Sequence, residues 1–361
     1  PDKFRDTASA AEVAAAIVAA ATRAGWDADA VPLADGGEGT LDALVAALDG
    51  RTERTRVSGP LGDLVDAPYG IAETDRGRMA IVEMARASGL GLVSEERRRP
   101  RRATTYGTGQ LIVEACRHRP DRLIVCIGGS ATTDGGAGMA QALGIGLRDE
   151  DGRPIPPGGA GLRRLATIDV RGLAPEVKGV EVVVASDVDN PLVGPQGAAA
   201  VFGPQKGASP EDVRVLEVAL AHYAAVLHRD LGLDLRHEAG AGAAGGLGAG
   251  LIAFLGARMR RGFEVVAEAV GLAERLARAD VAVTGEGKWD RQTERGKAPA
   301  GVLRLAREAR CRTVLMCGQV EGDPDADLVY DLSDSGLDQA MGRPRELLRE
   351  AAQDAARSLR G

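Results

Sequence analysis

Along most of this chain, short apolar runs alternate with glycine-rich polar loops and with segments of helical period. Residues 123–127 are apolar and mostly β-branched, the run breaks at Gly128-Gly129, and residues 139–143 resume at helical spacing. That order predicts a buried strand, a strand-end loop and a helix. Ser9-Ala-Ala-Glu12 reads as a capping box opening an alanine-rich helix that ends near Gly25. Residues 30–33 read as a short strand, Ala34-Asp-Gly-Gly-Glu-Gly-Thr40 as a glycine loop, and residues 41–48 as a helix. Residues 54–57 and 67–72 flank Gly59-Pro-Leu-Gly62 as an antiparallel pair, and residues 79–84 form a further strand. A helix runs to about Cys116, and residues 180–185 are a strand. Ser209-Pro-Glu-Asp212 places a cap, a first-turn proline and two acids ahead of a helix reaching about His228. Strands at 281–284, 313–317 and 328–332 alternate with helices at 299–307 and 344–359.

The regular alternation at both ends predicts one α/β domain with a parallel sheet, made from residues 1–56 and 275–361, with an α/β domain of residues 57–274 inserted into it. A helix so near the start implies that the first strand of that sheet is missing or lies outside this sequence. Gly240-Ala-Gly-Ala-Ala-Gly245 matches G-x-G-x-x-G, but no strand precedes it, so it reads as a glycine-lined loop entering a helix from about Leu251 rather than a dinucleotide site.

Size supports the division, since 361 residues exceed a comfortable single core. No apolar run has membrane-spanning length and no charged-then-apolar leader opens the chain. The expectation is a cytoplasmic protein without a membrane partner. Cys116, Cys126, Cys311 and Cys317 make no C-x-x-C and read as reduced core residues. A net charge of −7, with one basic run at Arg97-Arg98-Arg99-Pro-Arg101-Arg102, argues against a nucleic-acid partner. Of 45 basic residues only five are lysine, and Lys3, Lys206, Lys288 and Lys297 fall in Gly/Pro-rich stretches. Lysine offers a compact charge on a flexible stem, suited to reaching a phosphate.

No Walker G-x-x-x-x-G-K-[ST], kinase H-R-D or hydrolase G-x-S-x-G is present, and the four histidines show no metal spacing. What remains is a set of strand-end loops rich in glycine, carboxylates and isolated lysines, the mixture phosphoryl transfer uses. The loop after residue 127, with Gly128, Gly129, Ser130, Thr132 and Asp134, reads either as a phosphate cradle or as a tight turn with incidental hydroxyls. Asp187, Asp189 and Asn190 offer oxygen ligands for Mg²⁺, or an Asx-type turn ending at Pro191. Glu286, Lys288 and Asp290 alternate along a loop with Lys297 near the next helix start. They read as an anion site with an acid nearby, or as a salt-bridged loop anchored by Trp289. Asp35 and Glu38 in the earlier glycine loop have the same two readings.

Together, Pro1-Asp-Lys-Phe-Arg5, Ala34-Asp-Gly-Gly-Glu-Gly-Thr40, Gly128-Gly-Ser-Ala-Thr-Thr-Asp-Gly-Gly136, Ala185-Ser-Asp-Val-Asp-Asn-Pro-Leu192, Phe202-Gly-Pro-Gln-Lys-Gly207 and Thr284-Gly-Glu-Gly-Lys-Trp-Asp-Arg-Gln-Thr293 resemble, in order, the type I glycerate kinases. The resemblance spans nearly the whole chain. It implies ATP- and Mg²⁺-dependent phosphorylation of D-glycerate, usually at the 2-hydroxyl to give 2-phosphoglycerate. It also implies a flavodoxin-like parallel-sheet domain paired with a second α/β domain whose sheet is mixed. The active site is then expected in the cleft between the two domains. On this reading Gly128, Gly129, Ser130, Thr132, Asp134, Lys206 and Lys297 bind nucleotide phosphates. Asp187, Asp189 and Lys288 are the catalytic candidates, the first two holding Mg²⁺ with Asn190. Arg5, Asp35, Glu38, Glu286 and Asp290 are expected around glycerate. Family members usually carry lysine where Arg5 stands and usually begin with a strand before the Pro-Asp motif, so the resemblance leaves a role for a small ammonium at position 5 open and one sheet strand is expected to be absent. A kinase for another small hydroxy acid, a 3-phosphoglycerate-forming enzyme and a non-catalytic ligand-binding relative are the alternatives. A monomer or homodimer is expected.

Overall fold

The β-branched runs become the strands of an α/β structure. In this computed structural model, which describes residues 1–2, 4, 7–290, 297–336 and 343–359, the chain divides into two units. One unit comprises Gly36–Leu41 and Gly50–Gly262. Its strands are β1 (Arg51–Ser58), β2 (Leu64–Thr74), β3 (Gly77–Glu83), β4 (Arg122–Cys126), β5 (Gly146–Arg148), β6 (Thr167–Asp169), β7 (Glu181–Ala185) and β8 (Arg258–Arg260). Six of them form a mixed sheet in the order β1-β2-β3-β4-β7-β8, while β5 and β6 pair separately. β1, β2 and β3 are antiparallel neighbours, and β3, β4, β7 and β8 run parallel.

Burial follows the sequence pattern strand by strand. β4 is buried from Leu123 to Cys126, on both faces of the strand, which is why its run is continuously apolar. β1 lies at the sheet edge, and its exposed Arg51, Thr52, Arg54 and Arg56 leave little apolar surface for unwanted strand pairing. The helix Pro210–Leu231 supplies Leu216, Leu220, Tyr223 and Leu227 to the core, joined by Leu111, Ile112, Leu247 and Leu251 from other helices. Its expected cap is present as a reciprocal box between Ser209 and Asp212, with Pro210 in the first turn.

The other unit comprises Pro1–Asp35, Asp42–Asp49 and Phe263–Gly361. Its strands are β9 (Val281–Thr284), β10 (Lys288–Trp289), β11 (Arg312–Cys317), β12 (Gln319–Val320) and β13 (Leu328–Asp331). Among the described residues a parallel sheet runs β13-β11-β9, and β10 pairs in parallel with β12. β11 alternates its two faces. Val314 and Met316 pack with Val13, Ile17 and Leu348 from the helices Ala10–Arg23 and Pro344–Ser358, while Leu315 and Cys317 pack with Trp289 and Leu303. The capping box at Ser9 and Glu12 forms as expected.

Two expectations change. Residues 30–33 join no ladder, and the segment is held instead by Leu33 N–H donating to Pro1 C=O at 3.0 Å. Pro32 lies in the middle of that run and cannot donate to a sheet. Part of the expected loop after β9 is regular, since Lys288 and Trp289 form β10. All four cysteines are free and buried, and among the described residues no helix is long and apolar enough to cross a membrane.

Candidate active site

β4 and β7 are neighbours in the parallel part of their sheet. Their carboxyl ends occupy the position at which α/β sheets bring ligands. After β4, Gly128 is half-buried and Gly129 exposed; then Ser130 is 8% exposed, and Thr132, Thr133 and Asp134 are fully buried. Of the expected cradle, Gly128 and Gly129 therefore reach the surface, whereas Thr132 and Asp134 lie beneath it. Asp134 organises the loop from inside. Its carboxylate accepts the N–H groups of Thr105 (2.8 Å), Gly136 (3.1 Å) and Gly138 (3.1 Å), and the hydroxyls of Thr105 (3.0 Å) and Thr104 (3.3 Å). Burial raises the Asp134 pKa, against the pull of these hydrogen bonds on the charged form.

Lys206 departs furthest from expectation. It ends the turn Pro204–Lys206, is only 1% exposed, and donates through Nζ to the Thr132 carbonyl at 2.5 Å. Burial lowers its pKa to about 7, opposed by the nearby negative charge of Asp134. An ammonium enclosed in this way supports the loop from below. Tyr223 adds a fully buried ring at the same place, its edge 2.7 Å from where a Cβ on Gly135 would stand.

Gly245 accounts for the second glycine cluster. Ala244, Gly245 and Gly246 are all left-handed within the kinked helix Ala243–Leu255. A Cβ on Gly245 would stand 2.0 Å from the Thr132 carbonyl oxygen, and Gly135 N–H donates to Gly245 C=O at 3.0 Å. The G-x-G-x-x-G run is thus a backbone-on-backbone contact beneath the β4 loop, with no strand ahead of it.

After β7, Asp187 and Asp189 are exposed and Asn190 is half-buried. Asp187 Oδ1 accepts Gly262 N–H at 2.9 Å, Val188 N–H donates to Ser186 Oγ at 3.3 Å, and Asn190 Nδ2 donates to Gln196 C=O at 2.8 Å. Turn geometry and solvent-facing carboxylates therefore coexist here. Among the described residues no group of three His, Cys, Asp or Glu could cage a metal. Two accessible carboxylates and an amide nevertheless suit Mg²⁺, which takes one or two carboxylates and completes its shell with waters and phosphate oxygens. In the same unit Glu38 is exposed, with Oε1 2.6 Å from where a Cβ on Gly129 would stand.

In the unit built on β9 and β11, Glu286 is 8% exposed and Asp290 is half-buried. Lys288 is exposed and ion-paired with Glu321, and Trp289 is buried against Leu303 and Leu315. Both elements of the structural alternative for this loop are thus present. Asp35 is half-buried; Lys297 is half-buried at the N-cap of the helix Ala298–Glu308, which has no side-chain cap. Arg5 and residues 291–296 lie outside the described residues.

Sequence reasoning missed Thr104, Thr105 and Gly262, which supply the bonds holding Asp134 and Asp187, and also Glu83. Glu83 closes β3, is 1% exposed, and accepts N–H groups from Gly39 and Leu41. Its signal in the sequence is a lone charge ending the apolar residues 79–82.

Comparison with known proteins adds independent information. The model of the glycerate kinase family matches residues 1–360. The chain is 44% identical to a glycerate kinase of Halalkalibacterium halodurans, covering 99% of this chain and 96% of that one. It is 45% identical to the glycerate 2-kinase of Escherichia coli, over 90% of this chain and 85% of the relative. A crystal structure of a Salmonella typhimurium LT2 protein assigned as glycerate kinase 2 superposes with a TM-score of 0.92 at 45% identity, covering 100% of this chain and 96% of the other.

Proposed function

Because this chain belongs to the glycerate kinase family, we propose that it transfers the terminal phosphoryl group of ATP to the 2-hydroxyl of D-glycerate, giving 2-phosphoglycerate and ADP. The observation that carries the reading is the placement of two exposed carboxylates, Asp187 and Asp189, at the carboxyl end of β7, next to the strand that delivers Gly128 and Gly129. Phosphoryl transfer depends on positioning and on offsetting charge, and it asks little covalent chemistry of the protein. The backbone at Gly128 and Gly129 offers N–H groups to phosphate oxygens. Lys288 and Lys297 are assigned as cations for anionic substrate groups. Asp187, fixed through Oδ1 by Gly262 N–H, and Asp189 supply a carboxylate to accept the hydroxyl proton. With Asn190 they would also hold Mg²⁺, which would supply positive charge to offset that of the transferring phosphate. Arg5, Asp35, Glu38, Glu286 and Asp290 are assigned to glycerate. Lys206 and Asp134 act beneath the β4 loop and keep its shape, a role their burial favours over direct phosphate contact.

ADP release coupled to a reporter reaction, measured with D-glycerate and with a panel of small hydroxy acids, tests the proposal. D-Glycerate should give the highest kcat/KM, and phosphorus NMR of the product should show substitution at the 2-position. Absence of turnover at high enzyme concentration would overturn the kinase reading, and a 3-substituted product would overturn the regiochemistry.

A further inference from the structure

One buried acid stands where two glycine loops meet. The Glu83 carboxylate receives Gly39 N–H at 3.2 and 3.3 Å and Leu41 N–H at 3.3 Å, at the start of the helix Thr40–Ala47. A carboxylate there accepts N–H groups at a helix start, which have no backbone partner within the helix, and complements the positive helix end. Arg86 Nε lies 3.5 Å from Glu83 Oε1, adding a cation to a charge that would otherwise be costly to bury. The segment that follows Glu83 holds the other loop by its backbone. Met84 N–H donates to Cys126 C=O (2.9 Å), Leu90 N–H to Gly129 C=O (2.8 Å), and Ala131 N–H to Ser88 C=O (3.0 Å). At Gly128 the two loops meet backbone to backbone, since a Cβ there would stand 2.9 Å from Gly37 Cα. Their spacing is therefore set by backbone contact and by what fixes each loop to the end of β3.

We propose that Glu83 is a positioning residue that fixes the loop Gly36–Leu41 against the loop after β4, and so places Glu38 relative to the backbone of Gly128 and Gly129. The proposal rests on the kinase reading above for its catalytic consequence. The geometry it invokes stands apart from that reading. Glutamine at position 83 would keep the shape and could leave its carbonyl oxygen at the Oε2 position facing both N–H groups, but it would lose the charge and set an NH2 donor at the Oε1 position, against Gly39 N–H and Arg86 Nε. Each loop would keep its own substrate contacts while their mutual placement loosened, and errors of this kind act on the chemical step.

Glu83→Gln and Glu83→Ala should be compared with wild type by steady-state kinetics in both substrates and by amide hydrogen exchange. The expected result is a fall in kcat of roughly 10- to 100-fold, with both KM values within about threefold of wild type and the larger loss in the alanine variant. Exchange at Gly39 and Leu41 should accelerate by about tenfold or more in Glu83→Gln while β4 and β7 keep their protection. Wild-type kcat in the glutamine variant, or a loss of activity equal to its unfolded fraction, would overturn the proposal. If the wild-type enzyme does not phosphorylate D-glycerate, the kinase reading fails separately. Unchanged protection at Gly39 and Leu41 would then still overturn the role given to Glu83.

Discussion

Lys206 has a titration signature that its burial makes measurable. Its side chain is 1% exposed, and desolvation moves its pKa from an ordinary 10.5 to about 7. In the unfolded chain the same lysine keeps its proton up to the ordinary value. Between these two values the unfolded state binds more protons than the native state, so stability contributed at this site rises with pH across that window. Denaturant unfolding near pH 7 and near pH 10 should therefore show wild type gaining roughly 2–4 kcal/mol relative to Lys206→Met. A pH-independent difference between the two proteins would contradict the buried position of the ammonium. Asp187 is the opposite case, an exposed residue whose value lies in chemistry. Asp187→Asn should lower kcat by roughly 100-fold or more while leaving the thermal midpoint nearly unchanged. Wild-type turnover in that variant would remove Asp187 from the site.

At the scale of elements, the kinked helix Ala243–Leu255 is a sensitive point in its unit. Gly245 has φ +71°, and the Thr132 carbonyl occupies the space a side chain would need. Gly245→Ala should cost roughly 2–4 kcal/mol in urea unfolding, combining left-handed strain with displacement of the β4 loop. A cost near zero would show that the loop can yield. This helix also marks how far the sequence could be read. Elements fixed by local signals were legible: the boxes at Ser9 and Ser209, the buried run of β4, and the antiparallel pair around residues 59–62 all follow from residues close together in the chain. The glycines at 240–245 were legible as a cluster, but their reason was not, because any close backbone approach selects the same residue. The apolar run at 30–33 misled for a local reason, Pro32, that outweighs its hydrophobicity. Lys206 was legible as an unusual lysine, yet its burial depends on Thr132 and Asp134, more than seventy positions away.

For the molecule as a whole, the α/β class followed from the order of runs and turns, the family from six loops in sequence, and the mixed sheet from the resemblance those loops carry. The candidate site was legible as a set of loops, and the depth of each residue within its loop was not. What puts Asp134 and Thr132 beneath the loop while Gly128 and Gly129 reach the surface is burial, a tertiary property. The placement of the cysteines has a further use. Cys116 and Cys126 belong to one unit and Cys311 and Cys317 to the other, and all four are buried. Burial pushes the Cys116 and Cys317 thiols up to about 12, and raises Cys311 as well. At neutral pH the Cys116, Cys311 and Cys317 thiols are protonated, and all four are hidden, so an added disulfide reagent can react only when the surrounding structure opens. Pulsed labelling followed by peptide mass spectrometry should give one rate for the Cys116 and Cys126 peptides and another for the Cys311 and Cys317 peptides. Each unit thus carries its own native clock for opening, and the two can be timed in a single sample without introducing a probe.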